Sequence, residues 1–456
     1  MTLAEIAAAT DGSLEYPEWG SVIVEGVSID SRTTEPGNLF VPLVAERDGH
    51  EFVASALGSG AAAFLSSVGD VKTSADHGDG PFIRVADTAA ALTAIGVLAR
   101  SKLTGAVIGI TGSVGKTSVK DLTRAACSSP AGPPVWASQR SFNNELGVPL
   151  TLVNAPDGVG TVVVEMGSRG IGHIVQLCKV ARPTVGIVTT VALAHSELFG
   201  SLETIAAGKG ELIECLPADG VAVLNADNHH VTAMADRTEA RVLTFGMARL
   251  GDIPVKKRPD FAIDNIDLDL SLHPTFDLWY GDESERISVP VAGAHMAVNA
   301  AAAVAAAVAT GVPFSDAAKQ VAAVDMSPWR MEVSTTPEGA TVINDAYNAN
   351  PTSMRAALAT LTETGAERLV AVIGEMAELG DEGPAEHLAI AREARAAGVR
   401  VIAVDALAYG SDADHVSGID EAMASIGDLD ASAAVLVKGS RVAGLERLAV
   451  LLTTQR

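Results

Sequence analysis

Apolar residues in the middle of the chain form short continuous runs, and a segment of helical periodicity separates the first two. The runs are Ala106–Thr111, Thr161–Glu165, Thr184–Thr190 and Val221–Asn225, and the helical segment is Val119–Ser128. Continuous runs of this length are typical of strands that are covered on both faces of a parallel sheet. Beyond residue 104 the pattern therefore predicts alternating β-strands and α-helices around such a sheet.

The regions on either side of this pattern differ from it. The first ~100 residues mix short apolar runs with turn-rich pieces and end in a predicted helix, Ala89–Leu103. Polar and apolar residues alternate from Asp252 to Val291, which predicts antiparallel strands beside the main sheet. The alanine-rich stretch Met296–Thr310 predicts a helix, and Gly311 marks the boundary that follows it.

A second β-α series lies beyond this boundary. Its predicted strands are Thr341–Asn344, Leu369–Ile373, Arg400–Val404 and Ala433–Val437. A chain of 456 residues has room for about three domains of about 150 residues each. We predict an α/β protein with domains at residues 1–103, 104–312 and 313–456, and with active sites at the carboxyl ends of strands and between domains.

The charge balance and the cysteines limit the classes of function. Acidic residues outnumber basic residues by 56 to 32, a net charge of −24, which argues against nucleic acid or an anionic membrane as the main partner. We see no signal peptide, and the most apolar run, Val298–Val312, is too short to span a bilayer. Three cysteines without metal-ligand spacing fit a reducing compartment. We therefore expect a cytoplasmic protein with no membrane insertion.

The strongest chemical signal is a glycine-rich segment between a predicted strand and a predicted helix, Gly112-Ser113-Val114-Gly115-Lys116-Thr117-Ser118. Glycines let the backbone fold around phosphate oxygens, and the helix N-terminus supplies positive potential. Lys116 would reach the β- and γ-phosphates, and the Thr117 hydroxyl would ligate Mg²⁺. Ile110 stands where the usual spacing has a glycine. The alternative, a tight turn that merely contains Gly-Lys-Thr, fits the strand-loop-helix context less well.

Two further residues follow predicted strands. Glu165 ends Thr161–Glu165, where nucleotide-binding folds commonly place an acidic partner for Mg²⁺. His195 lies just past the next strand, at the same edge of the inferred sheet. Taken alone, an acid at a strand end is usually a solvated terminus and a lone histidine is usually structural. The phosphate-binding loop favours the metal role for Glu165.

These motifs, in this order, resemble those of the Mur ligases of peptidoglycan synthesis. The resemblance runs from about residue 25 to about residue 450 and covers all three predicted domains. The segments that carry it are 30–32, 36–41, 48–50, 111–118, 142–149, 165–167, 194–195, 207–211, 344–351, 376–380 and 437–441.

The resemblance implies a three-domain architecture, with a central P-loop parallel-sheet ATPase domain and a Rossmann-like C-terminal domain. It also implies an ATP-dependent ligase that activates a carboxylate as an acyl phosphate and joins it to an amine. Within the family the motifs are most similar to those of the member that takes UDP-N-acetylmuramoyl-tripeptide and D-alanyl-D-alanine. That similarity implies a monomer whose domains move.

The resemblance also implies a role for individual residues. His295 and Asn299 would lie near adenine, Asp345 near the ribose and Arg330 near the phosphates. Lys209 matches a lysine that is carbamylated in this family and that would hold a second Mg²⁺ with His195. The implied catalytic residues are Lys116, Glu165, His195, Lys209 and Arg330. The implied substrate-binding residues are Ser31, Arg32, Asn143, Asn144, Tyr347, Asn348 and Asn350.

The chain departs from the family pattern at a few positions. Met296 replaces an asparagine that commonly follows the histidine here numbered 295, and Thr190 replaces another asparagine before the His195 segment. The segment 46–50 is one residue shorter than usual. None of these changes removes a residue that we assign to phosphate or metal.

Three alternative functions remain open. The first is the neighbouring ligase that adds the third peptide residue, although its Asp-Asn-Pro-Arg motif is absent. The second is a ligase that extends folate or another polyglutamate, which would leave the N-terminal motifs unexplained. The third, from a different class, is a P-loop ATPase or switch protein that couples hydrolysis to the binding of a partner.

Overall fold

The computed structural model describes residues 1–67, 80–129, 132–139, 141–193, 200–247 and 258–454. The chain divides into two compact units, and each is described by itself. The first comprises Met1–Gly109, Gly132–Gly167 and Val175–Thr184, and the second comprises Ile110–Ala131, Ser168–Ile174 and Val185–Arg456.

The strands are β1 Ser13–Leu14, β2 Gly26–Ser28, β3 Asn38–Phe40, β4 Ala63–Ser66, β5 Phe82–Arg84, β6 Ala106–Thr111, β7 Val135–Ala137, β8 Thr161–Glu165, β9 Val185–Val188, β10 Val221–Asn225, β11 Arg241–Met247, β12 Phe261–Leu268, β13 Pro274–Tyr280, β14 Glu283–Ser288, β15 Glu332–Thr335, β16 Thr341–Asp345, β17 Arg368–Ile373, β18 Val399–Val404, β19 Asp414–Val416 and β20 Ala433–Lys438. The predicted bounds of β6, β8 and β10 are confirmed.

The α-helices are α1 Leu3–Ala9, α2 Val53–Gly58, α3 Thr88–Lys102, α4 Lys116–Cys127, α5 Gly147–Val153, α6 His173–Ala181, α7 Leu202–Glu214, α8 His229–Thr232, α9 His295–Ala309, α10 Phe314–Val321, α11 Pro351–Glu363, α12 Gly383–Ala396, α13 Gly418–Ile426 and α14 Glu446–Thr454. Short 3₁₀ turns lie at Pro17–Ser21, Gly49–Phe52, Ala233–Arg237, Gly380–Glu382, Leu407–Asp412 and Arg441–Ala443. Helix α4 begins at Lys116, before its predicted start at Val119, because Gly115 in a left-handed conformation directly precedes it.

In the first unit a five-stranded sheet has the order β1-β5-β4-β3-β2, and only β1 is antiparallel to its neighbour. Phe40, Phe64 and Phe82 are buried in its core. The Asn154 side chain accepts a hydrogen bond from Val27 N at 2.8 Å and donates one to Val27 O at 3.0 Å. One amide therefore satisfies both backbone groups of a residue in β2.

Strand β6 lies across the division between the units. In the first unit Ala106 N donates to Gly160 O at 3.0 Å, and β7 pairs with β8 in parallel. In the second unit Thr189 N donates to Thr111 O at 3.0 Å, and β9, β10, β11 and β12 pair successively in parallel. The predicted parallel sheet is thus present. Strands β12, β13 and β14 pair antiparallel, which confirms the prediction for the alternating segment.

The second unit also contains a six-stranded sheet of order β15-β16-β20-β17-β18-β19, in which only β15 is antiparallel. Its central strand β20 is buried along its whole length. Lys438 at the end of β20 is in register with Asp345 of β16 and Ile373 of β17. Polar groups that follow these strands therefore meet at one edge of the sheet.

Helix α9 is rich in alanine, and every residue from Ala300 to Ala307 is buried. It packs against α4, α10 and strands β9 to β13. Methyl side chains let its backbone approach these neighbours closely, so the low aromatic content and the abundance of alanine have a structural counterpart.

No helix in the described ranges is both long and apolar enough to cross a membrane.

A substitution at Gly96 on α3 would test how closely the first unit is packed. A methyl group at this position would lie 2.8 Å from Pro149 Cβ and 3.2 Å from Val180 Cγ1. Overpacking costs about 1–3 kcal/mol, and the better helix propensity of alanine offsets about 1 kcal/mol of that. The balance is a net loss of up to about 2 kcal/mol, so we expect Gly96→Ala to lower the Tm measured by calorimetry by up to roughly 8 °C.

Gly58→Ala is the matched control, because a methyl group at the end of α2 would meet no described atom within 4 Å. It should leave Tm unchanged or raise it slightly. Equal Tm values for the two variants would show that α3 yields at Gly96 and that the close packing is not a constraint.

Candidate active site

The glycine-rich loop lies between β6 and α4, and two of its glycines are required by their surroundings. Gly112 has φ of 152°, and a Cβ there would lie 1.9 Å from Thr189 Oγ1. Gly115 has φ of 85° and precedes the first residue of α4. Two glycines thus leave the backbone accessible just before a helix N-terminus, which is the arrangement that binds phosphate groups.

The residues after β9 and β10 hold this loop in place. Ser113 N donates to Thr190 O at 2.8 Å, and Ser113 Oγ donates to Ala192 O at 2.8 Å. Asn225 Nδ2 donates to Thr189 O at 2.7 Å, and Asn228 Nδ2 donates to Thr190 Oγ1 at 3.1 Å. The sequence pattern gave no role to either asparagine. A signal that could have found them is their place at the end of a predicted strand, Asn225 as its last residue and Asn228 three residues later.

Two lysine side chains lie in the loop region. Lys116 Nζ donates to Gly112 O at 2.9 Å. Lys209 lies in α7 and is 2% exposed. Burial lowers the pKa of Lys209 well below its ordinary value, and the nearby charge of Lys116 lowers it further. The Lys209 amine is therefore held in an environment that favours its neutral, nucleophilic form.

Arg237 supports the helix that carries Lys209, and sequence analysis did not find it. Its guanidinium donates to Ala206 O at 3.2 Å and to Ala207 O at 3.0 Å. A Cβ at Gly210 would lie 1.8 Å from Arg237 Nη1, so the glycine after Lys209 makes room for this side chain.

Arg330 reaches the loop from the segment before β15. Its Nη2 donates to Thr117 Oγ1 at 2.9 Å, and its guanidinium carbon lies 4.2 Å from the centre of the Tyr347 ring. Its neighbours Trp329 and Met331 have φ of 60° and 52°, which is unusual for residues other than glycine. Among the described residues Arg330 Nε is buried without a hydrogen-bond partner. A cation with a buried, unused donor fits an anionic ligand such as phosphate.

A buried ion pair on α4 provides the acceptor that holds the segment leading to Arg330. Lys120 Nζ lies 3.0 Å from Asp121 Oδ1, and both side chains are almost fully buried. Asp121 Oδ2 accepts a hydrogen bond from Ser327 N at 2.9 Å. Sequence analysis did not identify this pair, since nothing in the pattern of α4 distinguishes it from a solvated pair.

The residues expected near the nucleoside also lie in the second unit. Asp345 Oδ2 accepts a hydrogen bond from Lys438 Nζ. Burial lowers the pKa of His295, the negative charge of Asp345 raises it, and the charge of Lys438 lowers it. Asn299 lies beside the loop, since its Oδ1 would be 2.9 Å from a Cβ at Gly115.

Three of the predicted substrate-binding residues follow β16. The Tyr347 ring packs under Arg330, and Asn348 O accepts a hydrogen bond from Lys438 Nζ at 2.8 Å. Asn350 caps α11, because its Oδ1 accepts from Ser353 N at 2.9 Å. The side-chain oxygen of Asn350 therefore already has a structural role.

The remaining predicted residues lie in the first unit. Glu165 is buried, and its Oε1 accepts a hydrogen bond from Asn143 Nδ2 at 2.9 Å. Asn144 Oδ1 accepts from Gly147 N at 2.9 Å at the start of α5. Ser31 is buried, and Arg32 forms an exposed ion pair with Asp30.

His195 lies outside the described residues. Within the described ranges no three or more His, Cys, Asp or Glu side chains gather as a metal site. The hydroxyl of Thr117 and the carboxylate of Glu165 are oxygen donors of the kind that Mg²⁺ prefers, so their chemistry fits this ion.

Two family models match the second and third predicted domains. The Mur ligase middle domain matches residues 110–307, and the glutamate ligase domain of Mur ligases matches residues 329–441. The UDP-N-acetylmuramoyl-tripeptide–D-alanyl-D-alanine ligase of Mycobacterium tuberculosis is 37% identical over 98% of this chain and 97% of its own length. The chain belongs to the Mur ligase family.

Other relatives extend this finding. The ligase of the same name from Escherichia coli is 33% identical over 98% of this chain and 97% of its own length. A crystal structure of MurF from Acinetobacter baumannii covers 100% of this chain and 99% of its own, with a TM-score of 0.85 and 26% identity. The three-domain Mur ligase architecture is thereby confirmed, as is the enzyme class, an ATP-dependent amide-forming ligase. The predicted boundaries of the domains stay predictions.

The structure shows what replaces the usual Mur ligase residues at two positions. Met296 is buried, and its Sδ accepts a hydrogen bond from Asn299 Nδ2 at 3.4 Å. The hydroxyl of Thr190 accepts the hydrogen bond from Asn228 described above. Both substitutions therefore have local partners. The assignment of site residues by motif stays a prediction.

We expect Gly112→Ala to weaken ATP binding at least about tenfold, because the new methyl group collides with Thr189 and displaces the loop. Isothermal titration calorimetry with ATP would measure this loss. The control is Gly158→Ala, which also has positive φ, 73°, but no described atom within 4 Å of the added methyl. Similar ATP affinities for the two variants would show that the loop is not part of the ATP-binding site.

Proposed function

We propose that this chain joins D-alanyl-D-alanine to UDP-N-acetylmuramoyl-tripeptide, with hydrolysis of ATP to ADP and phosphate. The observation that carries the proposal is the similarity, over nearly the whole chain, to ligases of that name. The product is the pentapeptide precursor of peptidoglycan. A cytoplasmic location and a monomeric state remain predictions of the sequence.

The chemistry explains why cations surround the loop. A carboxylate is a poor acyl donor because its leaving group would be oxide, so the γ-phosphoryl group is first transferred to it. Two anions must approach each other for this transfer, and positive charge offsets their repulsion. Lys116 and Arg330 both contact the loop and are the residues that we assign to this role. The dipeptide amine then attacks the acyl phosphate, and phosphate leaves.

We assign the metal-binding residues by the chemistry of their donors. Mg²⁺ would supply further charge neutralisation at the phosphates. Thr117, Glu165, His195 and carbamylated Lys209 are the proposed ligands. Support for the carbamate comes from the burial of Lys209 in α7, since a neutral amine can attack CO₂ and lose a proton to give an anion.

The other proposed contacts rest on the family motifs. His295 and Asn299 would contact adenine, and Asp345 the ribose. Ser31 and Arg32 would lie near the uridine diphosphate, and Asn143 and Asn144 where the nucleotide and the acceptor carboxylate meet. The family resemblance implies that the third domain presents the dipeptide, so we assign Tyr347, Asn348 and Asn350 to D-alanyl-D-alanine. For Asn350 the hydrogen bond to Ser353 favours a structural contribution through α11.

The closest alternative is the ligase that adds the third residue to the peptide. It would use the same phosphate chemistry, so the loop and Arg330 do not discriminate. The names of the full-length relatives favour the D-alanyl-D-alanine reaction. The second alternative is a switch protein that only hydrolyses ATP, and the phosphate-release experiment below tests both alternatives.

Phosphate release from ATP should require both co-substrates. We would measure it with the purified chain and UDP-N-acetylmuramoyl-tripeptide alone, D-alanyl-D-alanine alone, and both together, and identify the product by mass spectrometry. The expected result is pentapeptide only in the complete mixture. Release with neither co-substrate would support an ATPase or switch, and a tripeptide made from UDP-N-acetylmuramoyl-dipeptide would support the third-residue ligase.

Lys209→Ala should abolish ligation, because no anionic carbamate can form at residue 209. Added short carboxylates such as acetate should partly restore the rate, since they can occupy the space of the missing anion. The matched control is Lys319→Ala, an exposed lysine on α10, which should have the wild-type rate. Wild-type activity of Lys209→Ala would rule out the carbamate.

A further inference from the structure

Lys438 is a buried ammonium group to which sequence analysis gives no role. It ends β20 and is 1% exposed. Its Nζ donates to Asp345 Oδ2 and to Asn348 O, the latter at 2.8 Å. Removing an ammonium from water is costly, so a buried lysine persists only with well-placed partners. The partners of Lys438 lie at the last residue of β16 and in the turn that leads from it to α11.

The first partner connects Lys438 to the phosphate side of the site. Asp345 Oδ2 takes the ammonium, while Asp345 Oδ1 accepts a hydrogen bond from Met331 N at 3.3 Å. Met331 directly follows Arg330, whose guanidinium reaches Thr117 of the loop. The ammonium therefore fixes the carboxylate that anchors the backbone next to Arg330.

The second partner connects Lys438 to the other end of the same turn. Asn348 O receives a charge-assisted hydrogen bond, which is stronger than one from a neutral donor. Tyr347, between the two partners, packs its ring under Arg330. A single side chain thus holds Asp345 and the backbone of Asn348, the residues on either side of the Ala346-Tyr347 pair.

We propose that Lys438 is a positioning residue. It keeps Asp345, on the nucleotide side, and Asn348, on the dipeptide side, in one fixed arrangement. The inference rests on the proposed function for the identity of the two ligands. Lys438 itself contacts neither of them and acts through Asp345 and the backbone of Asn348. Loss of the ammonium should therefore weaken both ligands together.

Lys438→Met tests this with a side chain of similar length and no charge. We expect the KM values for ATP and for D-alanyl-D-alanine to rise together by roughly 10- to 100-fold, the range found when a supporting contact is removed from a site. The KM for UDP-N-acetylmuramoyl-tripeptide should change less than about twofold. Lys438→Arg keeps the charge and should recover part of both losses. Lys319→Met is the control for an exposed lysine on the same unit.

A purely structural role predicts a different result. It would lower the Tm and the amount of active enzyme, which reduces kcat equally for all substrates and leaves every KM unchanged. That result would overturn the proposal. A rise in the KM for ATP alone would also overturn it, because the coupling to Asn348 would then be absent.

The double variant Asp345→Asn with Lys438→Met covers the case in which Lys438→Met does not fold. Removing both charges leaves no unpaired buried carboxylate, so the double variant should fold. Its KM for D-alanyl-D-alanine should still be raised, since Asn348 O has lost its donor. A wild-type KM for the dipeptide in the folded double variant would contradict the proposal.

Calorimetric titration with ADP separates this inference from the proposed function. If the wild-type chain makes no pentapeptide, the function fails, but weaker ADP binding by Lys438→Met than by Lys319→Met would still support the nucleotide side of the inference. Equal ADP affinities would overturn it whichever reaction the chain catalyses.

Discussion

The close approach of Thr189 to the α-carbon of Gly112 constrains the whole phosphate-binding loop. Only a hydrogen atom fits there, and the Thr189 hydroxyl also donates to Val114 O at 2.5 Å. Thr189 is in turn held by Asn225 at the end of β10. The position of the loop therefore depends on the parallel register of β9 and β10, and the sheet sets the positions from which Lys116 and Arg330 contact the loop.

Basic side chains are concentrated near the loop of this acidic chain. Overall the net charge is −24, yet Lys116, Lys209 and Arg330 belong to one region of the second unit. The repulsion among these basic groups is reduced in two ways. Lys209 has a lowered pKa, and the Arg330 guanidinium is stabilised by the Tyr347 ring. The backbone of the loop adds positive potential without adding charge, which limits the repulsion between the side chains.

Local patterns predicted much of the fold, because buried strands such as β6, β8 and β10 have continuous apolar sequences and the antiparallel strands alternate. The loop was predictable because its glycines, lysine and threonine are adjacent in sequence. The supporting residues were not, since Arg237 meets Gly210 and Lys438 meets Asp345 only after the chain folds. A buried lysine and an exposed one look alike in a sequence. The start of α4 was missed because loop and helix share Lys116.

The alanine-rich helix α9 has a consequence for how this chain can evolve. Every single-base change that replaces an alanine gives valine, threonine, serine, proline, glycine, aspartate or glutamate. At the buried alanines between positions 300 and 307 each of these adds bulk, a buried polar group or charge, flexibility, or a helix break. No one-step neighbour is harmless there, so this stretch should accumulate substitutions far more slowly than the exposed faces of α12 or α13. Pairs of compensating changes in α9 and α4 are the route by which it could drift.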